Sequence, residues 1–361
     1  MTRAAAVPPG GYRRIAVLRL SSLGDIVLTL PVVHALRRAF PHARLEYWTK
    51  EEYRDVVRFD PAIDHVRVLE KDARKIEDLV SMSAELEEAD LIVDLHGSSR
   101  TRVLRFRQGA RTLSAPPYRL ERWRWVHARW TRPGPIPSAT ERFARALAPL
   151  GLAVGGPPHV VAGEEAEAWA RGYLASWHPA AADLAATDDP TWIKHRPPIA
   201  MIPAARHPTK QWIEAHWLVL HDRLAAAGHP LLYFSLARER ASFPALSSRV
   251  DQDPRARWCI EPLPRMAALL SHARAAVAVD TGLMHLAAAR GIPVVAMFGS
   301  TAPELGFAPA GPGHAVLCRH EPCQPCTLHG REHCPLGHFR CMKLLEPAVV
   351  LAALQERGVS A

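Results

Sequence analysis

Two short polar turns constrain this chain more than anything else in it: Ser21-Ser22-Leu23-Gly24-Asp25 and Asp280-Thr281-Gly282-Leu283-Met284-His285. Each follows a purely apolar strand-like run and opens a helical pattern, which is the repeating unit of a parallel sheet with helices packed on it. The first turn follows Ile15-Ala16-Val17-Leu18 and heads a helix expected over residues 26–40; it offers small residues and one carboxylate. The second follows Ala275-Ala276-Val277-Ala278-Val279 and heads a helix expected over 283–290. A helix start is a natural anion site, because its first N–H groups lack intrahelical partners and the macrodipole is positive there. Two such units, set far apart in the chain, predict an α/β protein of two nucleotide-type lobes facing one cleft, the first suited to chemistry and the second to anion binding.

The remaining pattern agrees. Strand-like runs at 15–20, 44–48, 65–69, 91–95 and 111–114 alternate with helical patterns, as in a parallel sheet covered on both faces. A Gly/Pro-rich stretch at 151–158 ends this first unit, and a charged helix is expected over 164–177. Alternation restarts at 199–202 and continues through 231–235, 257–260, 275–279 and 294–298. At 361 residues the chain is long enough for two domains with separate cores, read as 12–160 and 161–346. The first strand is not followed by Gly-x-Gly-x-x-Gly, and the chain has no P-loop, which weakens dehydrogenase and NTPase readings.

Charge is unevenly spread. The formal net charge is +9, but residues 1–150 hold 26 Lys and Arg against 18 Asp and Glu, leaving the rest of the chain near neutrality. Within residues 100–132 ten arginines face a single acid, Glu121. Such a segment either attracts an anionic partner and grips phosphates or carboxylates, or is a solvated helix face. Trp123, Trp125 and Trp130 are interleaved with it, suited to a membrane interface or to core packing. No apolar run approaches the ~20 residues of a membrane span, and residues 1–12 lack a signal-peptide core. A cytoplasmic protein, peripheral at a membrane, is expected.

Cys323-x2-Cys326-x7-Cys334-x6-Cys341 has the arithmetic of a tetrahedral thiolate site, in a Pro/Gly-rich loop at 318–341 that also holds Cys318. A structural zinc or iron, free buried thiols and, last, a disulfide are the alternatives. Four thiolates would leave a catalytic metal no open position.

Read together, the motifs resemble a known family. Arg19-Leu20-Ser21-Ser22-Leu23-Gly24-Asp25 with Leu30-Pro31, Asp94-Leu95-His96-Gly97, Lys210-Gln211-Trp212, Asp280-Thr281-Gly282 with His285, and Phe298-Gly299-Ser300-Thr301 look like the ADP-heptose:lipopolysaccharide heptosyltransferases (glycosyltransferase family 9), in the same order and at similar spacings. The resemblance implies a GT-B fold of two Rossmann-like domains, acceptor on the first and nucleotide-sugar on the second, with residues 347–361 packing back on the first. It further implies an inverting transfer that requires no metal cofactor. The Asp280-Thr281-Gly282-Leu283-x-His285 form is closer to the first transferase of the pathway and the Cys-rich tail to the second, which leaves the transfer step open.

Residue by residue, the resemblance makes Asp25 the general base that takes the acceptor hydroxyl's proton; by itself an acid there equally suits its helix's first turn. Lys210 becomes the cation that meets the diphosphate, where a lone surface lysine would carry no meaning. Arg206, Glu239, Asp280, Thr281, Gly282 and His285 are expected at the donor, Glu239 as a strand-end carboxylate for ribose hydroxyls and His285 as packed support. Ala204 and Ala205 depart from relatives that offer hydroxyls or glycine there, shifting phosphate binding toward the second helix start. Ser22, Gly24, His96, Arg119, Arg122 and Arg124 are expected at the acceptor. The implied partners are ADP-heptose, an anionic Kdo-lipid A glycolipid and the inner-membrane surface. Two alternatives remain: a related transferase with another nucleotide-sugar or a later core acceptor, and a nucleic-acid-binding protein with a zinc knuckle, which would bind DNA or RNA in a salt-sensitive way.

Overall fold

A computed structural model describes residues 8, 11–69, 76–106, 108–128, 134–177 and 196–360. The chain divides into two compact units, Met1–Tyr118 with Pro137–Val161, and Arg119–Ile136 with Ala162–Ala361. Trp130 of the aromatic-basic segment lies outside the described residues.

The first unit is a five-stranded parallel sheet: β1 (Arg14–Leu18), β2 (Arg44–Lys50), β3 (His65–Leu69), β4 (Leu91–Asp94) and β5 (Arg111–Ser114), in the order β3-β2-β1-β4-β5. The central strands are apolar without alternation because both faces are covered. All five residues of β1 and all four of β4 are buried, whereas edge strands β3 and β5 are half-exposed. The helix Leu23–Ala39 follows β1 and buries Ile26, Val27, Leu30, Val33 and Leu36. The chain then winds outward to one side through β2 and β3 before crossing to β4, paired with β1 so that Leu18 stands beside Asp94. The order reverses between β1 and β4. In open parallel sheets that reversal leaves a crevice at the carboxyl ends of the two strands, where ligands bind.

The second unit repeats the principle with six parallel strands: β6 (Ile199–Ile202), β7 (Leu231–Phe234), β8 (Ala256–Cys259), β9 (Ala275–Val279), β10 (Val294–Phe298) and β11 (Ala315–Cys318), ordered β11-β10-β9-β6-β7-β8. Its reversal falls between β6 and β9, both fully buried. Edge strand β11 has no counterpart among the expected strands; its residues are half-exposed and too few to show a pattern.

Two expectations about organisation are corrected. The C-terminal helix Pro347–Gln355, expected with the first unit, belongs to the second: Val350, Ala353, Leu354 and the following Val359 are in its core, with Trp212, Trp217 and Leu220. Trp212 Nε1 donates to Leu345 O at 2.8 Å just before it. The segment 119–136 also belongs to the second unit. There Ile136 N donates to Glu304 O at 3.0 Å and the Arg122 guanidinium lies over the Phe307 ring at 5.5 Å. Arg119, Arg122 and Arg124 of the arginine cluster therefore sit on a different unit from the one their chain position suggests.

Candidate functional site

Each unit brings several of its singled-out residues to its own topological reversal. In the first, the turn after β1 delivers Asp25 and the turn after β4 delivers His96. Three donors converge on Asp25 Oδ2: Arg19 Nη2 at 2.6 Å, Ser22 Oγ at 2.9 Å and Ser22 N at 3.3 Å. None of them occupies Oδ1. The carboxylate is only 18% exposed, and burial pushes its pKa up. The Arg19 cation and the Ser22 hydroxyl and amide outweigh that, holding Asp25 below the ordinary carboxylate value and ionised. Arg19 is itself fixed from three sides, since Nη1 donates to Leu95 O at 2.6 Å and the guanidinium lies 5.2 Å over the Phe143 ring.

The second turn is built on Asp94, whose Oδ1 accepts from His96 N at 3.0 Å and Gly97 N at 2.8 Å. Gly97 has φ +65°, a conformation open to glycine at little cost. Burial, helped by the nearby Arg19 cation, pulls the His96 imidazole down to about 4, so it is neutral at physiological pH. Its Nδ1 is buried without a hydrogen-bond partner. A neutral ring of this kind both donates and accepts, which suits sugar hydroxyls. Ser22 is exposed and Gly24 buried in the turn.

In the second unit, the 3₁₀ turn Pro208–Lys210 after β6 and the turn after β9 bring Lys210 Nζ to 2.9 Å from Asp280 Oδ2. Thr301 Oγ1 donates to the same oxygen at 2.7 Å. Thr281 is the N-cap of the helix Gly282–Ala289 in an extended conformation, with no side-chain bond to the helix start, so the first backbone N–H groups remain open for an anion. His285 is buried and Arg206 exposed. Glu239 stands after β7, but its Oε2 accepts from Leu236 N at 2.9 Å, closing its own turn. Ala204 and Ala205 are buried.

The expected acceptor arginines Arg119, Arg122 and Arg124 share the helix Arg119–His127 of the second unit, not the first. On this helix the tryptophans separate by role. Trp125 is 8% exposed and its Nε1 donates to Gly134 O at 3.2 Å, which makes it a core residue. Trp123 is 52% exposed and Leu120 65%.

The four cysteines Cys323, Cys326, Cys334 and Cys341 line one cavity of about 190 Å³ with His338 and Phe339. Among the described residues, however, no three His, Cys, Asp or Glu side chains are gathered closely enough to hold a metal ion. The zinc or iron expected from the spacing finds no such group among the described residues. Cys326 Sγ is turned to Ser300 O at 3.6 Å, and burial, with the neighbouring cysteines, pushes the Cys341 thiol up to about 12. All six cysteines are free thiols.

Several contributors were not expected from the sequence. Arg19 is visible only as a motif letter six residues before Asp25. Ser300 and Thr301 are visible only as letters of the Phe298-Gly299-Ser300-Thr301 motif; Thr209 and Gln324, joined to that loop by hydrogen bonds spanning 91 and 26 residues, have no local signal.

The sequence profile of glycosyltransferase family 9 (heptosyltransferase) matches residues 153–336. The lipopolysaccharide heptosyltransferase 1 of Pseudomonas aeruginosa is 28% identical over 340 residues, covering 87% of this chain and 86% of that relative. Among solved structures, a glycosyl transferase family 9 protein from Veillonella parvula superposes with a TM-score of 0.74 at 21% identity, over 96% of this chain and 97% of its own. The E. coli heptosyltransferase WaaC with ADP does so with a TM-score of 0.64 at 20% identity, over 95% and 99%.

Proposed function

The chain belongs to glycosyltransferase family 9, the heptosyltransferases, and we propose that it transfers heptose from ADP-heptose to the anionic inner core of lipopolysaccharide, a Kdo-lipid A type acceptor, by a single inverting displacement. The observation that carries this reading is the ionised, partly accessible Asp25, whose Oδ2 is held by three donors while Oδ1 is left for a proton.

In the proposed reaction the acceptor hydroxyl gives its proton to Asp25 Oδ1 as its oxygen bonds to the anomeric carbon. The bond from that carbon to the diphosphate oxygen breaks, and the electron pair leaves with ADP. Attack opposite the leaving group inverts the anomeric centre. The charge growing on the diphosphate is met by Lys210 and by the open N–H groups at the start of Gly282–Ala289. These charges belong to the protein, which supports a transfer that needs no metal cofactor. Neutral His96 and the Ser22 turn suit acceptor hydroxyls; Asp280, Thr281, Arg206, Glu239 and His285 stand on the donor unit.

Carboxylates and phosphates of the acceptor suit Arg119, Arg122 and Arg124, and the exposed Leu120 and Trp123 beside them suit the membrane surface that presents it. No described helix is long and apolar enough to cross a membrane. The test is direct. ADP and ADP-heptose, but not UDP or GDP, should raise the melting temperature, and mixing ADP-heptose with Kdo-lipid A should yield a heptosylated lipid by mass spectrometry, with or without EDTA. Stabilisation by UDP alone, or no product with either donor class, would overturn the reading.

A further inference from the structure

We infer that the Cys-rich segment 318–341 is the positioning frame of the Lys210–Asp280 pair, acting through two anchoring residues, Gln324 and Thr209. The inference rests on the reading of Lys210 as the cation that meets the departing diphosphate.

Gln324 is 3% exposed and held at both ends of its carboxamide. Its Oε1 accepts from Glu321 N at 2.9 Å, which fixes the rotamer. Its Nε2 faces the carbonyls of Phe298 at 3.2 Å, Gly299, and Thr301 at 3.4 Å. One buried amide group therefore ties down the whole loop that leaves β10. That loop carries Thr301, whose hydroxyl is bonded to the same Asp280 oxygen that pairs with Lys210.

Thr209, the residue before Lys210, makes the second attachment. Its hydroxyl lies 2.8 Å from Arg331 O and 3.0 Å from Ser300 Oγ, and accepts from Arg331 N at 2.8 Å. Its backbone N donates to Arg331 O at 3.2 Å, and its carbonyl accepts from Ser300 N at 3.1 Å. The frame is closed by Cys326 N, which donates to Ser300 O at 3.0 Å. The loops are pressed together as closely as backbone allows: a Cβ added at Gly299 would stand 2.8 Å from Thr209 O. The Lys210 turn and the Thr301 loop thus have one common support, and it is the Cys-rich segment. Buried polar groups satisfied on every side define one geometry rather than several. Because rate falls steeply with misplacement of a charge-stabilising group, loosening this support should act on turnover through Lys210.

A double-mutant cycle in the full-length protein, with ADP-heptose and Kdo-lipid A as substrates, tests this. Gln324→Ala should lower kcat by ~10–10²-fold, leave the acceptor KM unchanged and retain a cooperative melting transition. In a Lys210→Ala background the same substitution should cost little more, because residues that act through one another are not additive. Equal losses in both backgrounds, or a wild-type kcat for Gln324→Ala, would overturn the inference. Should Gln324→Ala fail to fold, Thr209→Val and Thr209→Ser give the same test: valine should lower kcat and serine restore it, and equal rates for the two would overturn it. A wild-type rate for Lys210→Ala alone would instead remove the reading of Lys210, and is recognised without touching the frame.

Discussion

Arg19 Nη2 and Asp25 Oδ2 form a 2.6 Å ion pair across one turn of the first unit, with the guanidinium anchored in turn to the Leu95 carbonyl and the Phe143 ring. Burial alone would push the carboxyl up; the Arg19 pair and the Ser22 hydrogen bonds together reverse the sign and hold it below the ordinary carboxylate value. Basicity here comes from geometry and an open oxygen rather than from a raised pKa.

The pH dependence follows. Held below the ordinary carboxylate value, Asp25 is ionised at neutral pH. The stability the pair contributes is present above the unfolded value and is lost as pH falls through the lowered folded value. In Arg19→Gln the burial effect acts unopposed by its main counterweight, so the acid limb of the kcat/KM profile should move to higher pH. An unmoved limb in the folded variant would show that Arg19 does not control the base.

Asp25→Asn keeps shape but cannot accept the proton. Turnover should fall by ~10²–10⁴-fold, the usual contribution of a positioned base, while the thermal shift with ADP is unchanged. Wild-type turnover would remove Asp25 from the reaction.

Lys210→Ala should lower kcat by ~10²–10³-fold through lost stabilisation of the leaving diphosphate, and Lys210→Arg should recover part of it. The substitution also leaves Asp280 Oδ2 with Thr301 as its remaining partner. If alanine lowered only the melting temperature, with kcat intact, Lys210 would be structural.

The two tryptophans of Arg119–His127 should part company. Trp125→Ala empties a buried, hydrogen-bonded site and should cost ~3–5 kcal/mol of stability. Trp123→Ala should leave the melting temperature nearly unchanged and weaken sedimentation with anionic, but not zwitterionic, vesicles. Vesicle binding insensitive to Trp123 would dissociate this helix from the membrane.

Alkylation should sort the cysteines. Burial pushes the Cys259 thiol far up and that of Cys341 to about 12, and the thiolate is the reacting species. Brief iodoacetamide treatment of the native protein near neutral pH should label half-exposed Cys323 and Cys334 before either. Peptide mapping that found Cys341 among the first labelled would mean that the thiol cavity is open in solution.

What the sequence determined by itself is the ladder of strands and the identity of the two turns. Strands covered on both faces must be apolar throughout, so β1, β4, β6, β9 and β10 announce themselves as unbroken runs, and polar turn residues directly after them mark the carboxyl ends where a parallel sheet binds ligands. Asp25, His96 and Asp280 lie in such turns, but the roles expected of them and of Lys210 came from the family resemblance. Short, half-exposed β11 was not, since four residues of mixed burial carry no period. The tertiary structure alone decided which unit takes up 119–136 and 347–355, because an apolar helix face states that it will be buried but not against what. It also decided that Oδ2 rather than Oδ1 of Asp25 is occupied, that the four cysteines share a cavity, and that Gln324 holds the loop of Thr301. Each of these depends on distances between groups remote in the chain, and side-chain spacing along a sequence carries no such distance until packing supplies it.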